Sequence, residues 1–257
     1  MWHFIQSYIK FITKSTNAHG VHSPFVYNLI TKCFYDKTRF KAYQTIKDYR
    51  QQLYQNNATI SVTDFGAGSR VFKSNQRAIS KIAKNAGISN KRAKLLYRII
   101  TYFKSENALE LGTSVGIATT ALSLGNPKGS VTTVEGCPET AKIANQQFEK
   151  FELNNIALKV SNFETELETL KHHDFDLIYI DGNHQKEATL NYFETLLNAV
   201  HNNSVIIFDD IHWSQPMTEA WEQIKQHPKV TVTIDTFFWG FVFFRKEQEK
   251  EHFIIRV

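Results

Sequence analysis

A short acidic and glycine-containing segment carries the strongest chemical signal in the chain. Residues 108–116 read Ala-Leu-Glu-Leu-Gly-Thr-Ser-Val-Gly, and an apolar helical stretch, Ile117 to Leu124, follows at once. Gly112 and Gly116 let a ligand approach the backbone closely, because glycine has no Cβ. The free N–H groups at the start of the following helix point at that ligand. The segment therefore predicts the first βα turn of a nucleotide-type binding fold.

The spacing of the two glycines limits the class of ligand that the turn can bind. A dinucleotide site reads G-x-G-x-x-G, with a third glycine that this turn lacks. The pattern Glu110-x-Gly112-x-x-x-Gly116 instead resembles the first motif of class I S-adenosylmethionine-dependent methyltransferases. That resemblance implies S-adenosyl-L-methionine as the cofactor. It places Glu110, Gly112, Ser114 and Gly116 at the amino acid end of that molecule.

Polar residues also follow the next two predicted strands. Glu135 ends the segment Thr-Val-Glu-Gly, far enough after Gly116 for one helix and one strand. A carboxylate at this point can accept two hydrogen bonds from a ribose diol, and we expect that role for Glu135. The family resemblance places contacts with adenine after the third strand, at Ser161, Asn162 and Phe163.

Three carboxylates follow the fourth and fifth predicted strands, in Ile180-Asp181-Gly-Asn-His184 and Phe208-Asp209-Asp210-Ile-His212. Ligands of an open α/β sheet lie outside the carboxyl ends of its strands, so these side chains are expected to converge there. Carboxylate oxygens suit Mg²⁺, and the resemblance to metal-dependent O-methyltransferases implies that Asp181, Asp209 and Asp210 hold it.

The same resemblance places Asp181 near the cofactor and directs Asp181 and His184 to the methyl acceptor. His184 is then the candidate that takes the acceptor's proton. Two residues depart from the catechol-type pattern. Asp210 stands where an asparagine usually completes the metal site, and His184 stands near the position of a catalytic lysine. The two segments are more similar to a bacterial branch of class I methyltransferases. In a simpler reading, Asp209 or Asp210 caps the turn before a helix at Pro216 to Gln226.

The elements that must position these residues alternate between strand and helix from residue 106 onward. Short apolar runs predict a parallel sheet covered on both faces, of the Rossmann-like α/β class. Two adjacent β-rich runs near the end predict an antiparallel hairpin, giving the seven strands of a class I methyltransferase. The predicted strands are Ala108 to Leu111, Val131 to Val134, Ala157 to Val160, Asp176 to Ile180, Ser204 to Phe208, Val230 to Asp235 and Phe238 to Arg245.

Residues 1–105 have a different texture and are predicted to be mainly helical. We expect them to form an extension that closes over the cofactor, with residues 106–257 as the methyltransferase domain. Apolar positions such as Phe4, Ile5, Ile9 and Ile12 fit one helix face. The glycine-rich segment Thr63 to Ser69 is predicted to be a structural loop or lid element. His19 and His22 lie in a loop and are weak candidates for lining the acceptor pocket.

Composition sets the remaining limits. The net charge of +5 is too small to predict nucleic-acid binding by itself. The two cysteines, Cys33 and Cys137, are far apart in sequence, which favours a reducing compartment over a disulfide framework. No run reaches the ~20 apolar residues of a membrane span, and residues 1–10 do not read as a signal peptide. A cytoplasmic location is expected, and the sequence leaves a homodimer open.

The predicted function is methyl transfer from S-adenosylmethionine to a hydroxyl group of a small molecule or glycan, with Mg²⁺ as a candidate helper. Three alternatives stay open. An RNA or tRNA methyltransferase is disfavoured because the fourth strand ends in Asp-Gly-Asn-His and no dense Lys/Arg stripe is present. A non-catalytic S-adenosylmethionine-binding module would not need His184. A dehydrogenase is disfavoured by the missing third glycine.

Overall fold

The computed structural model describes residues 2–66 and 74–257. The strands are β1 (Thr59–Ser61), β2 (Gln76–Ala78), β3 (Asn107–Leu111), β4 (Ser130–Glu135), β5 (Ile156–Val160), β6 (Phe175–Ile180), β7 (Val200–Asp209), β8 (Val232–Asp235), β9 (Trp239–Phe243) and β10 (Glu251–Ile254). The α-helices are α1 (Trp2–Lys14), α2 (Pro24–Leu29), α3 (Ala42–Gln55), α4 (Ile79–Asn85), α5 (Asn90–Phe103), α6 (Ile117–Gly125), α7 (Pro138–Lys150), α8 (Phe163–Leu170), α9 (Lys186–Leu196) and α10 (Gln215–Gln226).

The main sheet has eight strands in the order β10-β8-β9-β7-β6-β3-β4-β5, and β1 and β2 form a separate two-stranded sheet. Strand β9 pairs antiparallel with β7 and with β8. The pairings β3·β4, β4·β5, β6·β7 and β8·β10 are parallel. This mostly parallel sheet with helices between its strands confirms the predicted Rossmann-like α/β class and its terminal antiparallel hairpin.

The predicted count of seven strands is wrong by one. Strand β10 adds an eighth, pairing with β8 from Glu251 opposite Val232 to Ile254 opposite Asp235. Only Phe253 of the four β10 residues is buried. An edge strand with one buried side chain has no period-two apolar signal, so the sequence did not identify it as a strand.

The chain is divided into two compact units, and residues 37–166 form one of them. Its strands β3, β4 and β5 are parallel neighbours. The apolar residues Ala108, Leu109 and Leu111 of β3 are buried, as expected for a strand covered on both faces. Helix α6 is buried from Ile117 to Ser123, so the glycine turn before it joins two core elements.

Residues 1–36 and 167–257 form the other unit. Its core includes an aromatic cluster in which Phe237 contacts Phe4, Tyr8 and Phe11 of α1. The helix prediction for α1 is confirmed, but only part of the predicted apolar face is packed, through Phe4. Ile5, Ile9 and Ile12 are exposed, whereas Phe11 is buried. Periodicity identifies an amphipathic helix, and the packing partner decides which face it covers.

The unit boundaries do not coincide with the predicted boundary at residue 105, and the role of residues 1–105 as a closing extension stays a prediction. The described residues of that stretch include five α-helices, in line with the prediction of a mainly helical region, and also the β1–β2 pair. Residues 63–66 of the glycine-rich segment follow β1, and its remaining residues lie outside the described part. Among the described helices, none is both long and apolar enough to span a membrane.

Candidate functional site

The turn between β3 and α6 has the backbone that its glycines predict. Gly112 has φ +106° and Gly116 has φ +80°, and Ser114 between them has φ +49°. The N–H of Gly112 donates to the carbonyl oxygen of Val134 at 2.9 Å, which ties the turn to β4. Left-handed conformations favour glycine, so the two glycines are placed where the chain needs them.

Glu110 lies in β3 immediately before this turn and is fully buried. Its Oε2 accepts hydrogen bonds from the hydroxyls of Thr119 and Thr133, each at 2.5 Å. Its Oε1 is buried, and no residue within 2–66 and 74–257 forms a hydrogen bond with it. Burial raises the pKa of Glu110 to about 7, although the two threonine hydroxyls oppose that rise. A buried carboxylate oxygen without a donor fits a cationic or N–H group of a ligand.

Helix α3 supports the turn from behind. Tyr49 is fully buried, and its hydroxyl donates to the carbonyl oxygen of Val115 at 2.9 Å. A Cβ added to Gly116 would meet the Tyr49 hydroxyl and would lie 2.5 Å from the ring of Phe148. Packing therefore requires glycine at position 116, and so does the backbone conformation there. The sequence pattern indicated only the requirement of the backbone.

Glu135 follows β4 and is already engaged with the turn. Its Oε2 accepts the N–H of Ser114 at 2.7 Å, and its Oε1 accepts the N–H of Cys137 at 2.8 Å. Burial raises the pKa of Glu135, and these backbone hydrogen bonds oppose the rise. The structure thus brings Glu135 and Ser114 together, as a shared site requires. Each carboxylate oxygen keeps a second lone pair for a ligand hydroxyl.

Asn162 has a local structural role. Its Oδ1 accepts the N–H of Thr165 at 2.8 Å, the geometry of a helix N-cap, at the start of α8. The Asn162 side chain is exposed and Phe163 is half-buried. The N–H of Ser161 bonds the carbonyl oxygen of Glu135 at 3.1 Å, which places this segment beside the end of β4. The predicted contact of Asn162 and Phe163 with adenine stays a prediction.

In the other unit, a tyrosine connects two of the predicted carboxylates. The hydroxyl of Tyr179 lies 3.1 Å from Oδ2 of Asp181 and 3.0 Å from Oδ2 of Asp209. The N–H of Asp210 donates to Oδ1 of Asp209 at 2.8 Å. A phenol carries one proton, so Tyr179 donates to one carboxylate at a time. The hydroxyl links the ends of β6 and β7 into one polar cluster.

The expected metal-ligand set of Asp181, Asp209 and Asp210 does not form in this arrangement. Within residues 2–66 and 74–257, no three His, Cys, Asp or Glu side chains are grouped so that they could hold a metal ion. The Tyr179 hydroxyl takes one oxygen of Asp181 and one of Asp209, and a backbone N–H takes the other oxygen of Asp209. Tyr179 and a backbone N–H hold Asp181 and Asp209 in this arrangement, in which the three aspartates are not grouped as a site for Mg²⁺.

His184 lies beside this carboxylate cluster in a strained segment. Its Nε2 is 3.7 Å from Oδ1 of Asp181. His184 has φ +46°, the preceding Asn183 has φ +67°, and Asp210 after β7 has φ +55°. Non-glycine residues in left-handed conformations cost free energy and concentrate at functional sites. Burial lowers the pKa of His184, and the nearby charge of Asp209 opposes this effect. The imidazole is therefore neutral near pH 7.

His212, which follows Asp209 and Asp210 in the chain, belongs to a different hydrogen-bond network. Its Nε2 lies 2.8 Å from Oδ2 of Asp235, and its Nδ1 lies 3.3 Å from the hydroxyl of Thr218. The ring of His212 also stacks on Phe237, with 5.4 Å between the centroids. These contacts tie α10 to β8, so a structural role accounts for this histidine.

Sequence reasoning missed several functional neighbours, and some of them left a signal. Tyr179 is two residues before Asp181, so both side chains project from the same face of β6. Thr133 is the parallel partner of Glu110, which places a hydroxyl opposite a lone acid in an apolar strand. Tyr49 left no signal, because it reaches the turn from a helix distant in sequence.

Part of the chain matches a known protein family. Residues 109–211 match a family model described as a methyltransferase domain. Among curated proteins, none is similar enough in sequence to be matched.

Solved structures share the fold. An O-methyltransferase from Bacillus cereus in complex with SAH has a TM-score of 0.56 and 19% identity, over 83% of this chain and 95% of that one. The SAH-bound Podospora anserina methyltransferase PaMTH1 has a TM-score of 0.62 and 15% identity, over 88% and 97%. The O-methyltransferase TomG from Streptomyces achromogenes, in complex with SAM, has a TM-score of 0.58 and 14% identity, over 84% and 95%.

These identities are too low to transfer a substrate, and they establish the fold. The matched residues 109–211 contain the glycine turn, Glu135, His184 and Asp209. Residues 109–211 therefore resemble a methyltransferase domain, and the chain has the Rossmann-like fold of the methyltransferases to which it was compared.

Proposed function

We propose that the protein is an S-adenosylmethionine-dependent O-methyltransferase that acts on a hydroxyl group of a small molecule or glycan. One observation carries the proposal: Glu110 is fully buried at the glycine turn, and its Oε1 has no hydrogen-bond partner in the part of the chain that the structure describes. An acceptor in that position fits the ammonium group of S-adenosylmethionine. A pyrophosphate would be repelled there by the carboxylates of Glu110 and Glu135.

The residues of the unit 37–166 would hold the cofactor. Glu110 accepts from its ammonium group, the backbone around Gly112 and Gly116 allows close approach, and Glu135 accepts from its ribose hydroxyls. When bound, S-adenosylmethionine supplies an electrophilic methyl group, so the remaining tasks of the protein are alignment and proton removal.

His184 is the proposed proton acceptor. Its pKa is lowered by burial, so the neutral base is present at pH 7. Because Nε2 faces Asp181, Nδ1 is the nitrogen available to take the hydroxyl proton, and Asp181 stabilises the resulting imidazolium. Tyr179 and Asp209 hold Asp181 in place. The predicted Mg²⁺ takes no part in these steps, because the described residues Asp181, Asp209 and Asp210 are not grouped as a site for it.

The acceptor class follows from the structural neighbours, two of which are described as O-methyltransferases of Bacillus cereus and Streptomyces achromogenes. TomG is described as involved in tomaymycin synthesis, which is consistent with a small-molecule acceptor. We also propose a cytoplasmic location, because both cysteines are free thiols. A homodimer stays a prediction.

The test combines calorimetry and activity. We expect S-adenosylhomocysteine to bind the wild-type protein. His184→Gln should bind it with the same affinity within about twofold and transfer methyl groups to hydroxyl acceptors about 10²–10⁴ times more slowly. His172→Gln is the matched control, since His172 is exposed. Failure of the wild-type protein to bind would overturn the proposal. Unchanged methyl transfer in His184→Gln would remove His184 as the base, and normal biological activity of that variant would favour a non-catalytic module.

A further inference from the structure

The strand β1 and the residues after it are attached to the turn that follows β4. The N–H of Thr63 donates to Sγ of the buried Cys137 at 3.3 Å, and the same sulfur lies 3.8 Å from the carbonyl oxygen of Ser61. Asp64 forms an ion pair with Arg77 of β2 at 3.2 Å. These contacts fix Ser61, Thr63 and Asp64, and Phe65 directly follows them.

Phe65 lies against Gly136. A Cβ added to Gly136 would be 2.8 Å from one ring carbon of Phe65 and 3.0 Å from another. The ring thus occupies the space that a side chain at position 136 would fill. Despite this contact, 60% of Phe65 is exposed, among the largest exposed fractions of the apolar side chains in the described part.

The contact adjoins the candidate cofactor site. Gly136 directly follows Glu135, whose two oxygens accept the N–H groups of Ser114 and Cys137. The ring of Phe65 therefore contacts the residue that directly follows Glu135, whose carboxylate is assigned to ribose. A single exposed phenylalanine needs no explanation, but this one is seated on a glycine at a nucleoside-type site. More than half of its surface is open to a ligand.

We propose that Phe65 stacks on the adenine of the cofactor, replacing the side chain that Gly136 lacks. The proposal rests on the proposed function, because it names a further contact of the same ligand. Stacking of a base on an aromatic side chain is sequence-tolerant and depends on the π face, so an aromatic replacement retains it.

The first experiment measures binding of S-adenosylhomocysteine and of S-ribosylhomocysteine, which lacks adenine. We expect Phe65→Ala to weaken S-adenosylhomocysteine binding about tenfold, Phe65→Trp to preserve it, and both variants to bind S-ribosylhomocysteine like the wild type. Trp2→Ala is the control for loss of an exposed aromatic side chain, since 71% of Trp2 is exposed.

The outcomes separate the two proposals. If the wild-type protein does not bind S-adenosylhomocysteine, the proposed function fails. If the wild type binds it and Phe65→Ala binds equally well, the role of Phe65 is wrong. Equal weakening of both ligands would show that Phe65 only maintains the fold, which also overturns the inference.

A double-mutant cycle tests the contact with Gly136. Gly136→Ala should displace the ring and weaken S-adenosylhomocysteine binding several-fold in the wild-type background. In the Phe65→Ala background the added methyl group has room, so we expect little further loss. An equal effect of Gly136→Ala in both backgrounds would contradict the proposed arrangement.

Discussion

Glu110 shows how one buried carboxyl group links ligand binding to stability. Its pKa is raised to about 7 by burial, whereas an exposed glutamate titrates near 4.5. The folded state therefore holds a proton that the unfolded state has released between these pH values. Proton binding by Glu110 therefore stabilises the folded state. This contribution to the free energy of unfolding is complete below pH 4.5 and is lost as the pH rises through about 7. A shift of this size corresponds to about 3 kcal/mol.

We predict that Glu110→Gln changes the pH dependence of unfolding. Glutamine does not ionise, so the variant should gain stability relative to the wild type as the pH rises from about 4.5 to about 7, with a constant difference above that range. Thermal unfolding at intervals of half a pH unit, without ligand, measures this gain. Glu139→Gln, at an exposed acid of α7, is the control. Parallel stability curves for Glu110→Gln and wild type would show that Glu110 does not titrate there.

At the scale of elements, the β3–α6 turn joins a buried strand to a buried helix under tight constraints. Gly116 has a left-handed backbone, and the space beside its Cα is filled by Tyr49 of α3 and Phe148 of α7. We predict that Gly116→Ala lowers the free energy of unfolding by about 2–4 kcal/mol, from backbone strain together with overpacking. Denaturant unfolding measures the loss.

The matched control for that variant is Ser114→Ala in the same turn. Position 114 already holds a residue other than glycine at positive φ. Its backbone N–H, which alanine retains, donates the hydrogen bond to Glu135. We expect its stability to change by less than about 0.5 kcal/mol. A loss in Gly116→Ala no larger than in Ser114→Ala would mean that the turn adapts to a side chain.

The elements themselves were predictable where local chemistry decides them. Parallel strands are often short apolar runs, so the sequence located β3 to β7 within a few residues of their ends, including β5, whose residues are half-buried or exposed. The acid at the end of β4 was likewise readable. The bridge from Tyr179 to Asp181 and Asp209 was not, because it depends on β6 and β7 lying side by side. The exposed face of α1 and the edge strand β10 escaped prediction for the same reason: their partners are distant in sequence.

At the scale of the whole molecule, ligand binding adds to stability by mass action. At a concentration of S-adenosylhomocysteine 100 times its Kd, the folded state should gain about 2.7 kcal/mol. For a chain of 257 residues this corresponds to a rise in Tm of a few degrees. Mg²⁺ alone should leave the Tm unchanged, because in the described residues the predicted ligands Asp181, Asp209 and Asp210 are not grouped around a metal position.

Thermal scans with S-adenosylhomocysteine, MgCl₂, both, and NaCl at equal ionic strength measure these effects separately. The NaCl sample is needed because a basic protein of net charge +5 responds to salt through screening alone. A rise in Tm with MgCl₂ beyond that of NaCl, abolished by Asp209→Asn, would show that Mg²⁺ displaces the tyrosine bridge. Methyl transfer is also measured in the presence of a chelator. Full activity is expected if His184 works without a metal ion. Loss of activity would show that a metal ion takes part in the reaction.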